Sequence, residues 1–132
     1  MTTTTITSWK QAHEFESALG KNIIQLDGSQ HNGYGPKALL LAGLAACSGI
    51  DVVDILQKMK VEFSDFTIVS EAEQVEEHPK VYKDISLTYR IKMDASNETK
   101  FRKAIDLSLE KYCGVAAMLK KNSDIHYKVE IQ

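Results

Sequence analysis

The chain has 132 residues, of which 43% are hydrophobic and 26% are charged, and its formal net charge is −2. This length and composition are typical of a globular domain with its own core, and we predict a single domain over residues 1–132. The balanced charge provides no basic stripe, so nucleic acid is not an expected partner.

The first part of the chain predicts three short strands and a loop. Thr2 to Trp9, Glu14 to Leu19 and Asn22 to Asp27 have the residue types of strands, with a turn at Gly20-Lys21. Gly28 to Gly35 contains three glycines and predicts a loop, because glycine adopts backbone angles that other residues resist. The N-terminal residues lack the basic and apolar regions of a signal peptide, so we expect a cytoplasmic protein.

A long helix is predicted from Lys37 to about Lys60, after Pro36. Its run from Ala38 to Ile50 is apolar on every side, which is typical of a helix that is buried all round. The run is shorter than the ~20 residues that cross a bilayer, so we expect no membrane span. A chain this short cannot easily cover such a helix alone, so we expect a homodimer. Further along, the expected apolar stripe is Ile50, Val53, Leu56 and Met59.

Two strands, two helices and a last strand are predicted after the long helix. Alternating apolar and polar residues mark the second and third of these strands. Ser96 or Asn97 is expected to cap the first helix. Runs of strands and runs of helices together indicate an α+β fold. The predicted elements are Val61 to about Val75, Ile85 to Met93, a helix to about Tyr112, Val115 to Lys121, and Ile125 to Ile131.

Two cysteines carry the reactive chemistry that this chain could perform. Cys47 lies within the long predicted helix, and Cys113 lies where one predicted helix ends and another begins. A structural disulfide is not expected in a cytoplasmic protein, because that compartment keeps thiols reduced. The residue types alone leave two readings open: two buried and inert thiols, or a reversible redox pair.

The sequences around both cysteines resemble those of the OsmC/Ohr family. Leu44-Ala45-Ala46-Cys47-Ser48-Gly49 resembles the small-residue run that carries the first family cysteine, and Glu110-Lys111-Tyr112-Cys113-Gly114-Val115 resembles the stretch around the second. The order of elements also agrees over nearly the whole chain. The resemblance implies an OsmC-like α+β fold, with antiparallel sheets packed on a long central helix, and an intertwined homodimer.

The resemblance also implies an activity, the reduction of small organic hydroperoxides in oxidative-stress defence. Cys47 would attack the peroxide as a thiolate and become a sulfenic acid, and Cys113 would then form a disulfide with it. A dithiol reductant, in the Ohr branch a lipoylated protein, would restore both thiols. One local feature favours the opposite roles, because Cys113 precedes a short helix whose positive dipole end lowers a thiol pKa.

The chain departs from the catalytic pattern of the family at two positions. Catalytic members carry an arginine near the N-terminus and a glutamate at the start of the long helix. Arg90 and Arg102 do not match the arginine, and Lys37 stands where the glutamate aligns. Lys37 either supplies a positive charge to Cys47 or is a solvated residue at the start of the helix.

Two hypotheses therefore remain from the sequence. The first is a homodimeric thiol peroxidase with Cys47, Cys113 and Lys37 as catalytic residues and no cofactor. The second is a non-catalytic OsmC-like dimer that binds a small apolar ligand. A metal site is not expected, because no pair among the four histidines and two cysteines has the close ligand spacing of zinc sites.

Overall fold

Six strands and three helices make up the computed structural model, which describes all residues from 1 to 132. The strands form two separate three-stranded sheets, so the predicted α+β class is confirmed. The chain divides into two compact units, Met1–Leu40 and Leu41–Gln132. The organisation of the chain as a single domain stays a prediction.

The first unit consists mainly of an antiparallel sheet in the order β1-β2-β3. Gly20 makes the turn between β2 and β3 with a φ of 59°, a left-handed conformation that glycine adopts at little cost. The first strand begins four residues later than predicted, while β2 and β3 have their predicted bounds. The strands are β1 (Ile6–Gln11), β2 (Glu14–Leu19) and β3 (Asn22–Asp27).

The loop after β3 is held by the buried carboxylate of Asp27. This carboxylate accepts hydrogen bonds from the backbone N–H of Ser29 at 2.8 Å, the Ser29 hydroxyl at 2.7 Å and the backbone N–H of Asn32 at 3.0 Å. The left-handed residue of this loop is Gln30, not one of its glycines. Gly33 is needed for space instead, because a Cβ atom there would lie 2.7 Å from the carbonyl oxygen of Gln25.

Helix α1 (Ala38–Lys58) begins at the end of the first unit and continues into the second. Within the single chain it buries one face rather than its whole circumference, so the expectation that a second copy covers the rest stays a prediction. The predicted stripe is right at Leu56, which is buried, and at Met59, which packs against the core, but it is wrong at Ile50, which is 64% exposed. A hydroxyl was not expected on the buried face. The buried residues follow a spacing of four: Leu44, Ser48, Val52 and Leu56.

The length of α1 changes one inference from the sequence. With 21 residues, α1 is long and apolar enough to cross a membrane by length and composition alone. The core helix of a soluble protein passes the same test, so this feature is weak evidence for a membrane location. Four residues of α1 are buried in the core of their own chain, so α1 serves as a core helix in this structure.

The second unit contains a mixed sheet in the order β4-β5-β6. Strand β5 pairs antiparallel with β4 and parallel with β6, so the expectation of antiparallel sheets is wrong for this sheet. The chain leaves β5 and returns through two helices, and a crossover of this kind brings the next strand back in the same direction. The strands are β4 (Ser64–Gln74), β5 (Tyr82–Lys92) and β6 (Asp124–Ile131).

The crossover contains α2 (Glu98–Leu107), a π-helical turn (Ser108–Tyr112) and α3 (Gly114–Leu119). Asn97 occupies the N-cap position of α2, but its side chain makes no capping hydrogen bond. Asp94 caps the preceding 3₁₀ turn instead, by accepting from the backbone N–H of Ser96. The predicted helix to Tyr112 thus changes its hydrogen-bond pattern after Leu107, and this change sets the position of Cys113.

The core of the second unit lies between β5, α1 and the crossover helices. Residues at every second position of β5 point into it, as the alternating pattern predicted. Side chains of α2 and α3 pack against the same cluster. Its fully buried members include Leu44, Val52, Leu56, Ile85, Leu87, Tyr89, Ile91, Phe101, Ala104, Ile105 and Ala116.

Candidate functional site

Cys47 lies on α1 beside the buried face of the helix. It is a free, half-buried cysteine, and it packs against the core cluster of the second unit. The residue that follows it, Ser48, is fully buried. Cys47 therefore combines a fixed helical backbone with partial access to solvent, which a reactive thiol requires.

Cys113 lies between the π-helical turn and α3. Its backbone N–H donates to the carbonyl oxygen of Ser108 at 2.7 Å, which closes the wide turn of five residues. Its sulfur accepts a hydrogen bond from the backbone N–H of Ala116 at 3.3 Å and so caps α3. The residue is only 3% exposed, so Cys113 is the less accessible of the two cysteines.

Burial decides the ionisation of Cys113. It raises the pKa of the thiol to about 11 from an ordinary value of 9.0, and the N–H of Ala116 lowers it by less. The neighbouring Cys47 side chain also raises this pKa. The expectation that the helix end would lower the pKa of Cys113 is therefore wrong, because loss of solvation outweighs the helix dipole here.

The structure brings the two cysteine side chains together. The Cys47 side chain is near enough to raise the pKa of Cys113, and both residues belong to or pack against one core cluster. They come from α1 and from the end of the crossover's π-helical turn, so the fold and not the sequence spacing creates this proximity. The arrangement can support thiol–disulfide chemistry between a half-buried thiol and a protonated, buried one.

A chain of hydroxyl groups lies beside the cysteines. The Ser48 hydroxyl is 2.6 Å from the hydroxyl of Tyr89, and the Ser108 hydroxyl is 2.9 Å from the Ser48 hydroxyl. Ser108 also donates to the carboxylate of Asp51 at 2.9 Å. This network joins α1, β5 and the π-helical turn inside the core, where an unpaired polar group would be costly.

Tyr89 lies at the centre of this region, where its ring makes apolar contacts and its hydroxyl makes a polar one. Its ring contacts the rings of Phe66, Phe101 and Tyr127. Burial raises the pKa of Tyr89 to about 12, with smaller contributions in the same direction from Cys113, Tyr127 and Asp51, while the Ser48 hydroxyl lowers it. Tyr89 is therefore protonated at neutral pH and can donate a hydrogen bond to Ser48.

Comparisons with known proteins agree with this fold. The OsmC-like protein family matches residues 28–128. Protein YhfA of Escherichia coli strain K12 is 34% identical over 116 residues, which are 88% of this chain and 87% of YhfA. A hypothetical protein from Aquifex aeolicus has a solved structure with a TM-score of 0.85 at 30% identity, covering 100% of this chain and 98% of its own. The chain belongs to the OsmC-like family.

More distant members share the architecture. The organic hydroperoxide resistance protein OhrB of Bacillus subtilis has a solved structure with a TM-score of 0.68 at 18% identity, covering 98% of each chain. At this identity the likeness extends to the fold alone. The resemblance to the OsmC/Ohr family that the two cysteine motifs indicated is therefore confirmed.

This OsmC-like chain has no arginine beside its cysteines. Arg90 forms an exposed ion pair with Glu130 at 3.1 Å, and Arg102 forms one with Glu98 at 2.9 Å. Lys37 is exposed and lies just before α1, in the first unit, whereas Cys47 lies in the second. Its catalytic role stays a prediction. The catalytic arginine of the family thus has no counterpart among the two arginines of this chain.

A second group of polar side chains lies on the other face of the mixed sheet. The parallel register of β5 and β6 sets Asp84 beside Asp124, and ligand atoms of these two residues and His126 lie within 4.8 Å of one another. Asp84 and His126 also line an open hollow of about 530 Å³ with several charged neighbours. Exposed acidic groups often gather in this way without an ion, so the prediction of no metal site stays untested.

The hydroxyl groups of the network were not predicted from the sequence. Tyr89 was predicted on the apolar side of its strand, and Ser48 was noticed only as a neighbour of Cys47. The signal that could have predicted the network is a hydroxyl group at a position expected in the core, because a buried hydroxyl needs a hydrogen-bond partner. Ser108 carried no such signal, since the change from α-helix to π-helical turn that buries it is not visible in the residue types.

Proposed function

We propose that this protein reduces small organic hydroperoxides through a redox pair formed by Cys47 and Cys113. The observation that carries the proposal is the proximity of the two cysteine side chains, which come from elements far apart in the sequence and share one core cluster. Membership of the OsmC-like family and the fold shared with OhrB, an organic hydroperoxide resistance protein, support a role in peroxide stress.

The exposure of the two sulfurs supports a division of roles. Cys47 is half-buried and can meet a substrate, whereas Cys113 is buried and has a pKa raised to about 11. The thiolate is the attacking form of cysteine, so the accessible residue suits the attack and the buried thiol suits the second step. A thiol next to a sulfenic acid also prevents its further, irreversible oxidation.

The proposed cycle balances in three steps. The Cys47 thiolate attacks one oxygen of the hydroperoxide, the O–O bond breaks, and the alcohol leaves with a proton while Cys47 becomes a sulfenic acid. The Cys113 thiol then displaces the sulfenic oxygen, giving the disulfide and water. A dithiol reductant, for which a lipoylated protein is one source, transfers two electrons and two protons to the disulfide and restores both thiols.

One equivalent of an organic hydroperoxide tests this cycle directly. The intact mass should fall by two hydrogen atoms, and peptide mapping should find Cys47 joined to Cys113. Cys113→Ser should retain oxidation at Cys47 but form no crosslink, whereas Cys47→Ser should consume no hydroperoxide in the presence of a dithiol. Separate sulfinic acids on the two residues, with no crosslink, would contradict the proposal.

We also propose that the protein acts in the cytoplasm as a homodimer. One face of the sheet in the first unit leaves large apolar side chains in solvent, among them Trp9, Phe15 and Ile24. Monomeric proteins seldom expose a contiguous apolar patch of this kind, and a second copy is the simplest cover. Light scattering should therefore give twice the 14.8 kDa of one chain at micromolar concentration.

A second candidate function follows from the positions of the arginines. Both arginines form exposed ion pairs with glutamates, so neither is available to orient a peroxide at Cys47. An OsmC-like dimer of this composition could bind a small apolar ligand without turnover. A hydroperoxide-consumption assay separates the two functions, because the binding protein would show the same background rate as Cys47→Ser.

A further inference from the structure

Ser108 contacts the neighbours of both cysteines. Its hydroxyl is 2.9 Å from the hydroxyl of Ser48, the residue that follows Cys47, and 3.4 Å from the carbonyl oxygen of Ser48. Its own carbonyl oxygen accepts from the backbone N–H of Cys113 at 2.7 Å. One fully buried residue thus connects the helix that carries Cys47 with the turn that carries Cys113.

The hydroxyl of Ser108 is held in place by a charged acceptor. It donates to the carboxylate of Asp51 at 2.9 Å, and Asp51 lies on α1 one turn after Cys47. Hydrogen bonds to a carboxylate are stronger than those between neutral groups, particularly in a partly buried setting. The contact therefore fixes the π-helical turn against α1, in addition to the apolar packing around it.

A disulfide places narrow limits on the positions of its two residues. The Cα atoms must be roughly 4.4–6.8 Å apart, and deviations weaken the bond. Cys47 and Cys113 are 66 positions apart in the sequence, so the chain itself does not set this distance. A π-helical turn is uncommon, and its wide hydrogen bond moves Cys113 out of the register that α2 would otherwise continue.

We propose that Ser108 is a positioning residue, which holds Cys113 near Cys47. Its hydroxyl binds Ser48 and Asp51 on α1, and its carbonyl oxygen accepts from the backbone N–H of Cys113. The inference rests on the proposed function, since it concerns the same redox pair. Ser108 takes no part in electron transfer. It raises the effective concentration of one sulfur at the other and so favours the disulfide over the two thiols.

The equilibrium between protein and a dithiol buffer measures this effect. The protein disulfide and reduced dithiothreitol exchange two electrons and two protons with the protein dithiol and oxidised dithiothreitol. Ser108→Ala should lower the equilibrium constant for the protein disulfide about tenfold, which is about 30 mV for this two-electron couple. The fraction oxidised is measured by mass after acid quenching.

Ser123→Ala is the matched control. Ser123 is also a buried serine, and its hydroxyl donates to the carbonyl oxygen of Tyr82 at 2.7 Å, away from the cysteines. Its loss should leave the equilibrium constant at the wild-type value. A merely structural role for Ser108 would lower the free energy of unfolding equally in the two redox forms and would also leave the constant unchanged.

A second pair of variants keeps the test independent of whether Ser108→Ala folds. Asp51→Ala removes the charged acceptor of Ser108 and should lower the constant severalfold, whereas Asp54→Ala changes an exposed carboxylate on the same helix and should not. If wild type forms no disulfide at all, the proposed function fails and this inference with it. If wild type forms the disulfide and both Ser108→Ala and Asp51→Ala match it, the inference alone is overturned.

Discussion

The two units of this protein are stabilised in different ways. In Leu41–Gln132, β5, α1 and α2 bury a continuous apolar core with side chains such as Tyr89 and Phe101 at its centre. In Met1–Leu40, the strands are joined by backbone ladders with one irregularity, between Trp9 and Gln11, but most of their apolar side chains are exposed. The first unit has the hydrogen bonds of a sheet without the core that normally accompanies them.

The register of the first sheet concentrates its apolar side chains on one face. Trp9 pairs with Phe15 and Phe15 pairs with Leu26, so the three side chains form a row across the strands. Paired residues share a face of the sheet, and Ile24 lies on the same face as this row. Of the row, only Leu26 is buried, so this face is the part of the chain that most requires a cover.

A matched pair of phenylalanine substitutions tests the difference between the units most strongly. Phe101→Ala should lower the free energy of unfolding by ~3–5 kcal/mol, because it removes a fully buried ring and leaves a cavity. Phe15→Ala should lower the free energy of unfolding of a monomer by less than about 1 kcal/mol, because the Phe15 side chain is 38% exposed. Urea denaturation followed by circular dichroism measures both values.

Protein concentration makes this comparison sharper. If a second copy covers the first sheet, the cost of Phe15→Ala should rise as wild type associates, whereas the cost of Phe101→Ala should not depend on concentration. Equal and large costs for the two substitutions at every concentration would show that the first unit has a core of its own.

The different success of sequence analysis in the two units has a physical cause. In β5, alternation at Ile85, Leu87 and Tyr89 reports burial, and it predicted the strand and its inward face correctly. In the first unit most side chains are exposed within the chain, so alternation carries little information, and the first strand was placed four residues early. Strand direction was also hidden, since whether β6 runs parallel to β5 depends on the path of the crossover.

The second prediction concerns the face of the first sheet that a partner would cover. Ile24→Asp should shift the dimer to monomer, because it places a charge on the apolar face. Ile23→Asp is the matched control, since Ile23 is the adjacent residue, similarly exposed, on the opposite face. Light scattering on both variants gives the masses. Dissociation by both substitutions, or by neither, would reject the apolar row as the interface.

The third prediction uses pH to separate the units. Hydrogen bonds from Ser29 and Asn32 lower the pKa of Asp27 to about 2 from an ordinary value of 3.8. The ionised carboxylate therefore stabilises the folded first unit fully above pH 3.8, and this stabilisation is lost as the pH falls through about 2. The pKa of Cys113 is raised to about 11 from an ordinary value of 9.0. The buried, protonated thiol is therefore compatible with the folded second unit below pH 9.0, and stability is lost as the pH rises through about 11. Acid should therefore weaken the first unit, and alkali the second.

Two optical signals distinguish these transitions. Trp9, the single tryptophan, reports on the first unit by fluorescence, and helical circular dichroism reports mainly on the second. Asp27→Asn should remove the acid-dependent part of the first signal. Cys113→Ser should remove the loss of stability between pH 9 and 11 but retain the later loss from Tyr89 and Tyr127, whose pKa values burial raises to about 12. A Trp9 signal that changes only together with the helical signal would contradict separate stabilisation.

The candidate site was only partly predictable from sequence. The cysteine motifs led to Cys47 and Cys113 because they are local strings of residues. The contact between them, and the network through Ser48 and Ser108, depends on how α1 packs on the crossover, which no local string encodes. The pKa of Cys113 was predicted in the wrong direction for the same reason, since the helix end is visible in the sequence and the burial that outweighs it is not.

The last and smallest prediction asks whether the first unit contributes to the chemistry of the second. Lys37 stands at the position where the family glutamate aligns, and it belongs to the first unit, whereas Cys47 belongs to the second. If its charge favours the Cys47 thiolate, from the same chain or from a partner copy, Lys37→Ala should slow alkylation of Cys47 by about three- to fivefold, corresponding to roughly 1 kcal/mol for an exposed charge. Lys21→Ala, an exposed lysine in the turn of the same unit, should leave the rate unchanged. The difference between the two variants should also shrink at high salt, because exposed charges are screened. Equal rates at low salt would leave Lys37 without a role at Cys47, and would favour the ligand-binding function over peroxide turnover.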